Sequence, residues 1–205
     1  MLYYVISIFS IFAIVSCSSS TEPEILKPSS EYFPLSIGNY WEYEESYSSE
    51  DSSNTITFKS TITGTERIGG FNWYKIESVR ENETSKRHLM IEKDSVYELQ
   101  YNFQNPIRSL QYIVPKELTE TFPSIFGGDV GINKKVEKLD TTIQTNIGVF
   151  TNCYRFQYST SSWTEKEIFV YGIGIVEKHL TVYNVSTGKT SQRISKIKNA
   201  KISSN

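Results

Sequence analysis

Carboxylates give this chain its widest choice of chemistry. Glu42, Glu44 and Glu45 lie together, Glu165 and Glu167 form a second group, and Asp140 stands apart. Hydrolysis of a glycosidic bond needs two carboxyls held about 5 to 10 Å apart. Glu42 and Glu44 sit two residues apart and so share one face of an alternating strand. That spacing permits a pair, but it is equally the pattern of a strand's solvent face, which is the reading adopted. A thiol nucleophile is offered by Cys153, with His88 or His179 as its base. Cys153 lies mid-strand with Arg155 as its nearby cation, so burial as a small apolar group is expected instead. The two histidines are 91 positions apart, and neither His-x-x-x-His nor Cys-x-x-Cys occurs, so no metal site is expected. Gly172-x-Gly174 has Glu177 where a dinucleotide fingerprint needs its third glycine. Gly188-Lys189-Thr190 has Tyr183 where a phosphate-binding loop needs its first. Both read as strand connections. These patterns yield no catalytic residue, cofactor or metal. The chain is expected not to be an enzyme, and a hydrolase with an unrecognised site is the weaker alternative.

Aromatic residues have more functional pull. The chain holds 14 Tyr, 11 Phe and 3 Trp, and Trp41, Tyr43, Trp73 and Tyr74 cluster early. Trp and Tyr line sugar-binding surfaces and apolar pockets. In antiparallel sheets they serve first as core and cross-strand pairs. The four are therefore read chiefly as core and, secondly, as a ligand surface.

Charge narrows the partners. With 21 basic and 23 acidic residues the net charge is -2. A phosphate binder wants a basic excess, so nucleic acid is not expected.

The N-terminus carries an address. Leu2 to Val15 is an uncharged apolar run, shorter than the roughly 20 residues that cross a bilayer. It fits the apolar region of a signal peptide. Ile14-Val15-Ser16-Cys17 then resembles the bacterial lipobox. The resemblance implies removal of residues 1–16 and lipidation of Cys17. No Lys or Arg precedes the run, a departure from the usual signal. Residues 17–31, rich in Ser, Glu and Pro, read as the lipidated Cys and a flexible tether. Ser18 follows the Cys in place of the Asp associated with inner-membrane retention, which favours the outer membrane. The expected location is the cell envelope, held to the membrane by the N-terminal lipid.

From residue 32 to about 200 the pattern is β throughout. Thr55–Ile62, Asn72–Val79 and Asn152–Tyr158 alternate polar with apolar residues. Gly69-Gly70, Gly127-Gly128 and Ser159–Ser162 punctuate them. Pro115–Glu120 suggests one helical turn. The fold class expected is all-β, with antiparallel sheets forming a sandwich, barrel or half-barrel of roughly ten to twelve strands. A weak echo suggests two similar halves, about 32–114 and 115–200. Phe33-Pro34 recurs as Phe122-Pro123, while Ile68, His88 and Val96 match Ile147, Glu167 and Ile175 at a constant offset of 79.

Tyr32 to Tyr43 contains the phrase FPLSIGNYWEY, which resembles the start of a broad set of uncharacterised bacterial lipoproteins with "FPLxxGNxWxY" soon after the lipid Cys. Gly148–Cys153 and Gly172–Val176 resemble two further phrases of that set. The resemblance implies no known reaction. Three functions follow as expectations. The first is a non-enzymatic envelope module that binds a protein, a glycan or an apolar ligand on exposed aromatics, with no deep cavity. The second is a carrier or chaperone for lipid or another apolar ligand, with an apolar cavity of several hundred cubic ångströms. The third is a hydrolase with carboxylates or a His of shifted pKa in a cleft.

Overall fold

The computed structural model describes residues 31–203, apart from 103–104, 127–128 and 140–141. Cys17 and most of the tether, Asp140 and the Gly127-Gly128 turn lie outside the described residues. The strands are β1 (Tyr40–Ser48), β2 (Ser53–Ile68), β3 (Phe71–Arg80), β4 (Glu83–Glu92), β5 (Ser95–Asn102), β6 (Asn105–Ile113) and β7 (Thr119–Phe126). Then come β8 (Asp129–Leu139), β9 (Ile143–Thr145), β10 (Gly148–Phe150), β11 (Cys153–Ser159), β12 (Trp163–Val170), β13 (Gly174–Asn184) and β14 (Lys189–Lys201). The fold is all-β, as expected. Twelve strands form one antiparallel sheet in the order β6-β5-β4-β3-β2-β1-β14-β13-β12-β11-β8-β7, and β9 and β10 form a separate two-stranded sheet.

The large sheet curls into a nearly closed barrel. Its end strands β6 and β7 meet where the Ser124 hydroxyl donates to the Leu110 carbonyl at 2.7 Å. Each of these strands contains a proline, Pro106 and Pro123, which cannot donate to a ladder and is tolerated at an edge. The seam is thus joined by a side chain rather than by a backbone ladder.

The sheet order places β1–β6 side by side and the later strands side by side. The offset of 79 carries β3, β4 and β5 approximately onto β11, β12 and β13. The Phe-Pro echo behaves differently. Phe33-Pro34 precedes β1, whereas Phe122-Pro123 lies within β7. The expected helical turn at 115–120 is absent: residues 116–118 bend, and Thr119 already pairs with Glu137. One turn fixes several dihedrals for a single hydrogen bond, so strand pairing wins there.

One mouth of the barrel is plugged. The Tyr32–Asn39 segment folds across it. Gly38 N–H donates to Ile62 O and Ile62 N–H to Asn39 O, each at 2.9 Å. Phe33 packs against Trp41, Tyr112 and Phe169, with ring centroids 5.6, 6.4 and 5.7 Å away. Trp41 Nε1 donates to Ile173 O at 2.6 Å, and Tyr43 OH to Ile175 O at 2.8 Å. Gly174 sits between these carbonyls with φ +102, and a Cβ there would lie 3.2 Å from the Phe33 ring. The Cys153 thiol donates to Phe150 O at 3.4 Å, and Tyr171 N–H to Asn152 O at 3.1 Å. The three phrases singled out in the sequence therefore serve the plugged end, where the apolar core is thickest.

Candidate functional site

Strand register dictates what faces the opposite end of the barrel. On β12, Glu165, Glu167 and Phe169 alternate with Thr164, Lys166 and Ile168. Phe169 is buried in the core, so period-2 geometry turns Glu167 and Glu165 inward as well. Across the ladder, Glu167 pairs with Phe156 on one side and Lys178 on the other, while Glu165 pairs with Tyr158 and Leu180. Lys178 pairs in turn with Ser195, and Ser195 with Glu45. Tyr43 pairs with Phe58, Phe58 with Arg80, Ser60 with Ser78, and Ile76 with Arg87. One inward face thus grades from aromatic at the plug to charged toward the open mouth.

These side chains surround a cavity of about 580 Å³. Its lining includes Tyr43, Phe58, Ile175 and Leu180, and also Glu45, Arg80, Arg87, Glu165, Glu167, Lys178 and Arg193. At the rim Glu83, Thr84, Ser85 and Arg193 are exposed, whereas Glu165 and Glu167 are 2% and 3% exposed.

The carboxylates are closely partnered. Glu45 takes Arg80 at 3.0 Å, the Ser195 hydroxyl at 2.9 Å and Arg193 at 3.6 Å. Glu167 accepts from Lys134 Nζ at 2.9 Å and Tyr112 OH at 3.2 Å, with Lys178 Nζ at 3.5 Å. Glu165 takes Lys178 at 2.8 Å and a short hydrogen bond from Tyr158 OH. Burial pushes the Glu167 pKa up, but Lys134 and Lys178 overcome it and hold the group at about 2. Glu165 is raised, by burial first and then by the neighbouring Glu167 charge. Burial pulls Lys178 down, and Glu167 and Glu165 more than reverse this, so it stays charged. Arg87 is likewise held as a cation, because Glu98, Tyr112, Tyr43 and Glu167 offset its burial. Its Nε is buried without a hydrogen-bond partner.

The aromatic residues singled out in the sequence do not form one surface. Trp41 and Trp73 are 3% and 1% exposed and so lie in the core rather than on a surface. Both spend their indole N–H inside the fold, Trp73 on Ile68 O at 3.1 Å. Trp73 belongs to a separate cluster with Met90 and Leu99. Tyr74 packs half-buried against the main core. Tyr43 reaches the cavity. Cys153 is fully buried, and burial raises its thiol pKa, the reverse of an activated nucleophile. His88 bonds Glu66 and His179 bonds Glu177, far from each other in the sheet. Glu42 and Glu44 stay half-buried and exposed, and Glu45 is the member of that group that turns inward. Glu45 shares the parity of Trp41 and Tyr43 on β1, and the extra residue of the bulge opposite Glu42 and Tyr43 falls on β14, so alternation along β1 itself turns Glu45 inward. Arg87 and Lys134 were not visible as site residues in the sequence. The available signal was their parity with Leu89 and Val136, core residues on the same strands. Among the described residues no group of three His, Cys, Asp or Glu is placed to hold a metal.

No protein-family model and no curated protein matches the sequence. Among solved structures, a candidate lipoprotein of Parabacteroides distasonis is similar over 85% of this chain and 100% of its own, with 12% identity and a TM-score of 0.48. A candidate exported protein of Bacteroides fragilis with a YmcC-like fold covers 83% of this chain and 99% of its own, with 12% identity and a TM-score of 0.45. A candidate outer-membrane lipoprotein-sorting domain of Vibrio parahaemolyticus covers 80% and 85%, with 9% identity and a TM-score of 0.29.

Proposed function

We propose that the chain is a lipid-anchored envelope protein whose barrel holds a small ligand without chemically changing it. The observation that carries the reading is the 580 Å³ cavity inside the barrel, within the size range of small-molecule sites. The cavity departs from both expectations, the surface module with no deep cavity and the carrier with a uniformly apolar one. One part of its wall is apolar and another charged, which suits an amphipathic guest. Cys17 supplies the anchor and residues 18–31 the tether, with the outer membrane as the expected address. Membership in the lipoprotein set with the FPLxxGNxWxY phrase is part of the proposal. Its support is that the phrase residues together build the plug that closes the far mouth.

Native mass spectrometry of the full chain, purified from membranes in mild detergent, tests the binding reading. A bound species on the order of a few hundred daltons, released by denaturation, is expected. Recovery of the apo mass alone, from several preparations, would overturn it.

One observation favours a second reading. Glu165 and Glu167 lie on one strand face with their pKa values pushed in opposite directions, as in an acid–base pair. Their oxygens are already engaged by Lys134, Lys178, Tyr112 and Tyr158, which is why binding is preferred. If hydrolysis were the function, Glu165→Gln would abolish turnover of a glycoside substrate while leaving its binding intact.

A further inference from the structure

The charges on the cavity wall are unevenly paired. Arg80 and Arg193 share Glu45, and Lys178 serves Glu165 and Glu167, which Lys134 also neutralises from behind. Arg87 has no ion pair among the described residues, and its Nε is sealed from solvent without an acceptor. A buried donor of a cationic group left unpaired is costly. Its position is also informative. Along the inward face of β4, Glu83 and Ser85 are exposed at the rim, Arg87 is half-buried, and Leu89 is in the core. Arg87 therefore stands at the depth where the polar mouth gives way to the aromatic floor. Tyr43, Phe58 and Ile175 supply apolar wall in the same cavity.

We infer that Arg87 is the recognition residue for a small amphipathic anion, whose carboxylate or phosphate lies on the guanidinium and whose apolar body lies against Tyr43, Phe58 and Ile175. The inference rests on the binding reading above and gives its ligand a chemical class. A guanidinium offers a fork of N–H donors that suits either head group, and a charge-assisted pair in a partly desolvated site is stronger than a neutral one. The buried carboxylates Glu45, Glu165 and Glu167 do not oppose such a guest, because Arg80, Arg193, Lys178 and Lys134 already neutralise them, and Glu83 stands at the exposed rim. A cationic guest, by contrast, would meet the Arg87 guanidinium, which Glu98 and Glu167 balance only from beyond ion-pair distance.

The test is isothermal titration of the full chain in lipid nanodiscs, with empty discs as the blank, using four probes of equal chain length. Octanoate and octyl phosphate are expected to bind about tenfold or more tighter than octanol and octyltrimethylammonium. Tighter binding of either anion alone supports the inference and identifies the head group. In Arg87→Gln the anions should fall to the affinity of octanol, and Arg87→Lys should recover part of the preference. Should either variant fail to fold, the comparison of head groups on the unaltered chain decides by itself. Equal affinity for octanol and the anions would overturn the role of Arg87 while leaving the cavity a binding site. Binding of none of the four would overturn both.

Discussion

At the residue scale, the buried Lys134–Glu167 pair dominates the inside of the barrel, with the two side chains 3% and 4% exposed. A pair of this kind is costly to break from one side, because the survivor is left as an unpaired charge in a dry site. Lys134→Met should lower stability by about 3–5 kcal/mol in urea unfolding, and Lys134→Met with Glu167→Gln should recover a large share. Acidity acts on the same group. The folded pKa of Glu167, about 2, lies below its unfolded value near 4.3, so its stabilisation is present above that unfolded value. It is lost as pH falls from there toward the folded value. Glu165 has the opposite sign: its raised pKa means its contribution is held at low pH and lost as pH rises through the raised value. Glu167→Gln should therefore flatten the acid limb of a stability profile measured by denaturant titration at successive pH values. Gly174 makes a separate prediction. Its φ of +102 and the 3.2 Å approach of Phe33 both resist a side chain, and Gly174→Ala should cost about 1–3 kcal/mol. The sequence showed Glu165 and Glu167 as carboxylates but not as inward ones. In WTEKEIFV either face offers apolar residues, Phe169 on one and Ile168 on the other, so parity was undecided without the neighbouring strands.

At the scale of elements, the strands were legible because Thr, Ile, Val and Tyr alternate between Gly- and Ser-rich turns, as at Thr55–Ile62. The hairpin of β13 and β14 matched its expected place, and Tyr171–Ile173 forms the expected tight connection before Gly174. The short β9 and β10 exceed the expected strand number, since three-residue strands leave almost no periodic signal. Sheet order was not legible, because nothing local brings β1 beside β14 or leaves β6 and β7 at the seam. That seam should be the weakest line of the barrel. With prolines in both edge strands and a side-chain bridge between them, amides of β6 and β7 should exchange faster than those of β1 and β14. Hydrogen-exchange mass spectrometry checks this. Equal protection across the seam would mean that the edges are laddered.

At the scale of the whole molecule, the apolar core lies inside the barrel, and the outward positions of β2 are largely polar. Thr55, Thr57 and Lys59 on β2 are exposed while Ser60 and Ile62 are buried. This is the reverse of the outward apolar band of a barrel that spans a membrane. The interior is therefore the place where an amphipathic molecule can be held, closed by the plug at one end and lined by charge toward the other. Filling that interior tests the account most directly. Leu180 lines the cavity, half-buried, and Leu180→Trp would occupy part of it from the β13 wall. The measurement is native mass spectrometry of the full chain and of Leu180→Trp, purified alike from membranes. The account predicts a releasable small molecule on the full chain and its loss or depletion in the folded variant. The same small molecule held at equal occupancy by both, or held by neither, would contradict it.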